Sequence, residues 1–340
     1  MKVKKIGLLF GRENTFPPAL AERINSKKIP GIVAEPVLID KVIQADPSEY
    51  AVILDRISQD VPFYRAYLKN AALCGTAVLN NPFWWSADEK FFNNCLMEKA
   101  GLTMPKTVLM PSNQRPDDTY PESFRNLKMP LDYGTIFKYV GFPAFFKPFA
   151  GGGWKNVYKV HDEHEFFRIY NQTGQLVMML QENIDFSLYF RCYCLGGKNV
   201  HIMPYDPKAA FHERYVREKK DYDAKLLKRV EEIVITINQL LGYDFNTVEI
   251  AMRGDNLYPI DLCNPAPDCD NFSVGEENFE WILENAANLC IERAQAHKEG
   301  QMNLTWGKFI HNSVAGLNPV EEGKKSSAGE EAPKKASKKK

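Results

Sequence analysis

The sequence predicts a protein of mixed α/β and α+β class, with a parallel α/β lobe first and a multi-lobed remainder. Three stretches carry that prediction. Strand and helix patterns alternate through the first 80 residues, as a parallel sheet requires. Gly141-Phe-Pro-Ala-Phe-Phe-Lys147-Pro-Phe-Ala-Gly151-Gly152-Gly153-Trp154 sets one lysine in a short apolar run just ahead of three glycines. Glu249 and Asp261 lie in two apolar runs on either side of an Arg253-Gly-Asp-Asn256 turn signal.

Bulk properties narrow the function. At 340 residues the chain can bury a full core. Lys+Arg and Asp+Glu balance at 43 each, so no net basic field favours nucleic acid. The apolar run at residues 6–10 is too short for a signal-peptide core, and no run reaches membrane-spanning length. The seven cysteines are odd in number and match no zinc spacing. Reduced, mostly buried thiols in a cytoplasmic protein fit best, with neither nucleic acid nor membrane as partner.

In the first lobe, residues 5–10 read as a buried strand and 11–15 as a polar loop. Pro17 and Pro18 then open a helix to about residue 26, with Thr15 as its N-cap. Residues 33–39 and 50–54 read as strands, 63–74 as a helix and 75–79 as a short strand. Ligand sites in such folds lie beyond the C-terminal ends of strands. That makes Glu13 and Arg56 candidate substrate contacts.

A helix follows over residues 86–99, with Ser86 and Glu89 as a capping box. Lys90 falls in its first turn, the end that disfavours a cation. A bound phosphate would account for it. Residues 107–110 read as a strand and 112–132 as an inserted loop with little order. Further on come a helix at 161–171, strands at 175–181, 190–195 and 201–205, and an amphipathic helix at 223–241. A closing helix covers 277–298. The tail from about residue 319 has few apolar residues and is expected to be disordered.

The glycine run lets backbone N–H groups approach an anion, and Lys147 can reach the same anion. Together they suggest polyphosphate held under a flap. The spacing is neither a Walker motif nor a dinucleotide-binding fingerprint. In the acidic hairpin, an odd-length loop centred on Asp255 places Glu249 directly opposite Asp261. Like charges so placed repel. A divalent cation reverses the sign, and Asn264 adds a neutral oxygen. Few, oxygen-only ligands favour Mg2+ completed by phosphate and water, or Mn2+ in its place.

Taken in this order, the pieces resemble the ATP-grasp superfamily over roughly residues 3–300. Lys90, ahead of Gly101-Leu-Thr-Met-Pro105, matches the first ATP lysine and Lys147 the second. Gly151, Gly152 and Gly153 match the flexible phosphate loop. Gln181-Glu182-Asn183-Ile184 matches the linker whose backbone reads adenine. Arg191 matches the catalytic arginine aimed at the transferred phosphate, and Glu249, Asp261 and Asn264 match the metal set. The resemblance implies a pre-ATP-grasp parallel α/β lobe at 1–85 followed by a two-lobed ATP-grasp fold. That fold starts at 86–140, continues with a lid at 141–197 and a C-terminal metal-binding lobe at 198–318, and leaves a tail at 319–340.

Asp55-Arg56-Ile-Ser58 and Gly75-Thr-Ala-Val-Leu-Asn80 make the first lobe similar to carboxylate–amine ligases of the glutathione synthetase, ribosomal-protein glutamate ligase and D-alanine–D-alanine ligase group. The resemblance therefore implies an ATP- and Mg2+-dependent ligase joining a carboxylate to an amine, or to a thiol, through an acyl phosphate. The products would be ADP and phosphate. The partners would be a small-molecule carboxylate and amine, with a peptide or protein acceptor and a homodimer left open. The competing reading is an ATP-binding regulatory or scaffold protein without ligase chemistry.

Three departures stand out. Asp261-Leu-Cys-Asn264 has one residue more than the usual acidic-x-Asn, which a bulge at Cys263 would absorb. Trp154 replaces a small residue after the glycines. Pro265-Ala-Pro-Asp268 replaces Pro-Gly, which would leave Asp268 and Asp270 open to an amine. His201, His212, Arg214 and Arg217 are expected on the substrate side.

Overall fold

The computed structural model describes residues 3–83, 89–210, 213–216 and 221–301. Ser86, His212, Arg217 and the tail lie outside them. The first elements are β1 (Lys4–Leu9), α1 (Phe16–Ser26), β2 (Ile32–Pro36), β3 (Tyr50–Asp55), α2 (Pro62–Leu73) and β4 (Ala77–Leu79). Next come α3 (Lys90–Lys99), β5 (Thr107–Met110), α4 (Tyr133–Val140), β6 (Ala144–Pro148), β7 (Tyr158–Val160), α5 (Glu163–Tyr170) and β8 (Met178–Glu182). The remainder is β9 (Leu188–Leu195), β10 (Asn199–Pro204), α6 (Ala224–Leu241), β11 (Phe245–Arg253), β12 (Asn256–Asp261), α7 (Asn271–Val274) and α8 (Glu276–Ala296).

The first lobe is a parallel sheet in the order β2-β1-β3-β4. Its strands read as continuous apolar runs because both faces are covered. On β3, Val52 and Leu54 meet α1 and α8, while Tyr50 and Ile53 meet α2. Helix α1 turns Phe16, Leu20 and Ile24 inward at helical spacing. Thr15 precedes it without capping it, because its hydroxyl donates instead to Asp270 Oδ2 at 3.2 Å.

The central sheet is antiparallel, in the order β10-β9-β11-β12. Period-two alternation sorts its side chains. Phe190, Cys192 and Cys194 of β9 join Val248 and Ile250 of β11 against α6 and α3. Tyr189, Tyr193 and Leu195 point the other way, into the core shared with α8 and the first lobe. Arg191 and Glu249 belong to that second set by alternation, and face each other as cross-strand partners.

The third sheet, β5-β8-β6-β7, is also antiparallel. Ala144 and Phe146 of β6 enter an aromatic core with Phe137, Phe166 and Tyr170. Phe145 and Lys147 alternate out of it. The 112–132 segment is more ordered than expected. It contains a 3-10 turn, Pro121–Phe124, and is tied to the loop before β8 by Gln114 N–H to Gly174 O and by Gln175 to Asp117.

Candidate active site

A cleft of about 460 Å³ lies between the third sheet and the central sheet. That size suits a small-molecule site. Lys90, Lys147, Gly151, Gly152, Gly153, Gln181, Glu182, Asn183, Ile184, Glu249 and Asp261 all line it. Of the residues expected at the nucleotide and metal site, Arg191 and Asn264 stand behind the wall.

The hairpin register places the carboxylates, by a route the sequence does not show. The turn is two residues, Gly254-Asp255, with Arg253 paired to Asn256. In that register Glu249 would face Ile260. A bulge at Ile260 shifts the ladder, so Glu249 pairs with Asp261 after all. The expected bulge at Cys263 is absent, since β12 ends at Asp261 and both Leu262 and Cys263 turn into the core. Asn246 holds the chain beyond, donating to Leu262 O at 2.9 Å and accepting the Asn264 N–H at 2.6 Å. The Asn264 side-chain oxygen then accepts from Arg191 Nη2 at 3.2 Å, and its nitrogen donates to Ala266 O at 3.3 Å.

Cations surround both carboxylates. Lys90 is the first residue of α3, and its backbone N–H donates to Phe149 O at 2.8 Å, joining helix to lid. Its ammonium reaches Asp261 Oδ1 at 2.6 Å. Burial opposes the Lys90 charge, but Asp261 outweighs it and raises the pKa. Burial likewise opposes ionisation of Asp261, yet Lys90 and Lys147 hold its pKa below the usual value. Lys147 has no such excess of anions. Burial, then the Lys90 charge, lowers its pKa to about 8. Glu249 accepts from Arg191 Nη1 and, at 2.6 Å, from the Tyr189 hydroxyl. Sequence reasoning does not single out Tyr189. Its spacing of two from Arg191 is visible there, but the β9–β11 pairing that aims both at Glu249 is not.

The donor set fits a hard divalent cation. Two carboxylates face each other across the hairpin, and one already holds an ammonium as a stand-in. Among the described residues no group of three His, Cys, Asp or Glu forms a metal site. Two carboxylates and an amide are too few for a closed cage, which suits an ion completed by phosphate and water.

The roof is the glycine loop. A side chain built on any of its glycines would meet no atom within 4 Å, so the backbone faces open space. Trp154 follows with φ +61, and the Arg214 guanidinium lies 5.2 Å over its ring. Arg214 thus sits at the lid edge. On its loop, Pro207 and Lys208 line the cleft, and Lys208 lies 4.5 Å over the Phe186 ring. The Gln181 amide donates to Thr107 Oγ1 at 3.0 Å, and Glu182 pairs with Arg253 at 2.8 Å.

The first-lobe candidates form a separate cluster. Arg56 is buried between the rings of Phe16 and Phe245. Its Nε donates to Glu13 at 2.9 Å and its Nη2 to Pro267 O at 2.6 Å. Only Glu13 of this pair reaches solvent, so Arg56 supports Glu13 from beneath. Asp268 and Asp270 are half-buried and each already serves the loop they sit in. Asp268 accepts the Asp270 N–H and the Ser273 hydroxyl, and Asp270 caps α7 while accepting from Thr15. His201 stacks on Trp281 and bonds Asn278 at 2.7 Å, away from the cleft.

Neither a protein-family model nor a curated protein sequence matches the chain. Its structure, however, is similar to solved ATP-grasp structures. A RimK-domain ATP-grasp protein from Sphaerobacter thermophilus superposes with a TM-score of 0.59 at 16% identity, over 86% of this chain and 99% of that one. The VanG D-Ala:D-Ser ligase from Enterococcus faecalis gives 0.58 at 14%, over 87% and 99%. The ATP-grasp ligase PsnB, solved with a minimal precursor, Mg and ADP, gives 0.56 at 16%, over 85% and 97%. The chain therefore has the ATP-grasp fold. No helix among the described residues is long and apolar enough to cross a membrane.

Proposed function

We propose that the protein is an ATP-dependent ligase that uses Mg2+ to activate a carboxylate by phosphorylation and passes it to an amine, releasing ADP and phosphate. One observation carries this reading. Glu249 and Asp261 face each other on the floor of a cleft whose other walls are Lys90, Lys147 and the open glycine loop. Their like charges are balanced by Arg191 on one side and Lys90 on the other, and a divalent cation would take the place of the Lys90 ammonium. The lysines and backbone N–H groups suit the phosphates such a cation would accompany.

Each residue then has a task. Lys90 and Lys147 hold phosphate oxygens, and the N–H groups of Gly151, Gly152 and Gly153 close over them. The 181–184 segment forms the wall for the base. Glu249 and Asp261 would hold Mg2+, with Asn264 behind them as a partner of Arg191, and the ion would supply charge neutralisation at the nucleotide phosphates. Arg191, held between Glu249 and Asn264, adds positive charge behind the cleft floor. Phosphoryl transfer asks the protein for positioning and charge, and this set provides both. Glu13 is the first-lobe group open to an acceptor.

The test is ADP release from Mg·ATP in the presence of a fractionated metabolite extract, with Asp261→Ala alongside. The expected result is substrate-dependent release, lowered at least about a hundredfold in the variant while its melting transition remains. Full release in Asp261→Ala contradicts the metal assignment. Magnesium-dependent ATP binding without release from any fraction favours a regulatory ATP-binding protein instead.

A further inference from the structure

Glu249 lies deep in the central sheet, and each of its oxygens has a different protein partner. Arg191 Nη1 takes Oε1, and the Tyr189 hydroxyl takes Oε2 at 2.6 Å. Tyr189 and Arg191 are two apart on β9, so both project from the sheet face that Glu249 of β11 shares. Arg191 is the direct cross-strand partner of Glu249, and Tyr189 reaches it diagonally from opposite Ala251.

The tyrosine ring is itself fixed. Its centroid is 4.9 Å from that of Phe186 and 6.1 Å from that of Tyr205, and its residue is 8% exposed. Tyr189 also lines the cleft beside Glu249 and Asp261. A carboxylate has about four lone-pair sites. Two donors on opposite oxygens fix its plane and leave acceptor capacity for a third partner.

We infer that Tyr189 is a positioning residue, which orients the Glu249 carboxylate for the divalent cation of the proposed site. The inference rests on the ligase reading above and adds to it a residue outside the expected metal set. Arg191 alone would leave Oε2 free to swing about the Cγ–Cδ bond. Tyr189 removes that freedom through a neutral donor, so it adds no charge to compete with the cation.

Tyr189→Phe is the clean variant, because it keeps the ring against Phe186 and deletes only the hydroxyl. Mn2+ binding in the presence of a non-hydrolysable ATP analogue, followed by electron paramagnetic resonance, gives a readout separate from turnover. Outer-shell partners of metal ligands typically contribute 10–100-fold in metal affinity. The variant should therefore bind Mn2+ on the order of tenfold more weakly. Its metal-free affinity for the analogue and its melting temperature should match the wild type.

Unchanged Mn2+ affinity overturns the inference while leaving the ligase reading intact. An equal loss of metal-free analogue binding also overturns it, because the hydroxyl would then shape the cleft as a whole. A wild type that binds neither analogue nor Mn2+ refutes the ligase reading and this inference together.

Discussion

Lys147 shows how far one residue's chemistry follows from its surroundings. Half-buried beside Lys90, its ammonium loses its proton as pH rises through about 8, well below an ordinary lysine. Bound phosphate favours the charged form and so raises that value again. Two results follow. Nucleotide affinity should fall as pH rises above 8. Binding at pH 8 should take up roughly half a proton per site. Calorimetry in two buffers of different ionisation enthalpy measures the uptake, and a value of zero would mean that Lys147 does not meet the phosphates.

Residues differ in how legible they are. The type and spacing of Lys147 against the glycine run point to an anion from the sequence alone. Arg56 does not reveal itself in that way, because sequence position after a strand says where the backbone goes and not how deep the side chain lies. Its cover comes from Phe16, Phe245 and the 267 carbonyl, two of them distant in sequence. The turn acids Asp268 and Asp270 have local tasks that their position alone does not show. Asp and Ser so close in a loop serve their own backbone first.

At the scale of elements, period-two and helical patterns locate most strands and helices, because burial of one or both faces leaves a direct trace in the sequence. The 190–195 and 201–205 readings fall within, or nearly within, β9 and β10. Helix α4 leaves too faint a trace; it has only eight residues and follows a proline-rich segment. The acidic hairpin is the instructive case. An odd-length loop predicts the facing of Glu249 and Asp261, yet the structure uses an even turn and a bulge. Both routes end at the same pair, because the ladder accommodates the extra residue between them. A bulge has no local sequence signature, so the route is hidden in the sequence.

The lid carries a prediction of its own. Trp154 is 56% exposed, at a left-handed backbone position, with Arg214 as its cover. Cation–π contact at an exposed site contributes about 0.5–1 kcal/mol. Arg214→Ala should free the loop, so that trypsin cleaves after Lys155 about two- to fivefold faster in the nucleotide-free protein. Trp154→Ala should give the same increase, and the double variant no more than either alone. Additive effects would show that the two side chains act separately.

For the whole molecule, two of the three sheets enclose the cleft and the third backs the central sheet, an arrangement that depends on long-range connections. Helix α8 is the last described helix, yet it packs on α1, β1, β3 and β9, binding the first lobe to the central sheet. Lys4 fastens its end by donating to the carbonyls of Ala294, Gln295 and His297. The parallel lobe and the acidic hairpin are legible from alternation and turn residues. Their mutual placement is not, because it is set by packing between residues hundreds of positions apart. The ordered set of motifs supplies what local patterns cannot.

The most direct test of the central claim is calorimetric ATP binding with and without Mg2+, in the wild type and in a Glu249→Gln/Asp261→Asn variant. The structure predicts one site per chain, with affinity that rises with Mg2+ in the wild type and loses that dependence in the variant. ATP binding that ignores both Mg2+ and the two substitutions would contradict the metal centre. No binding in the wild type would contradict the nucleotide site altogether.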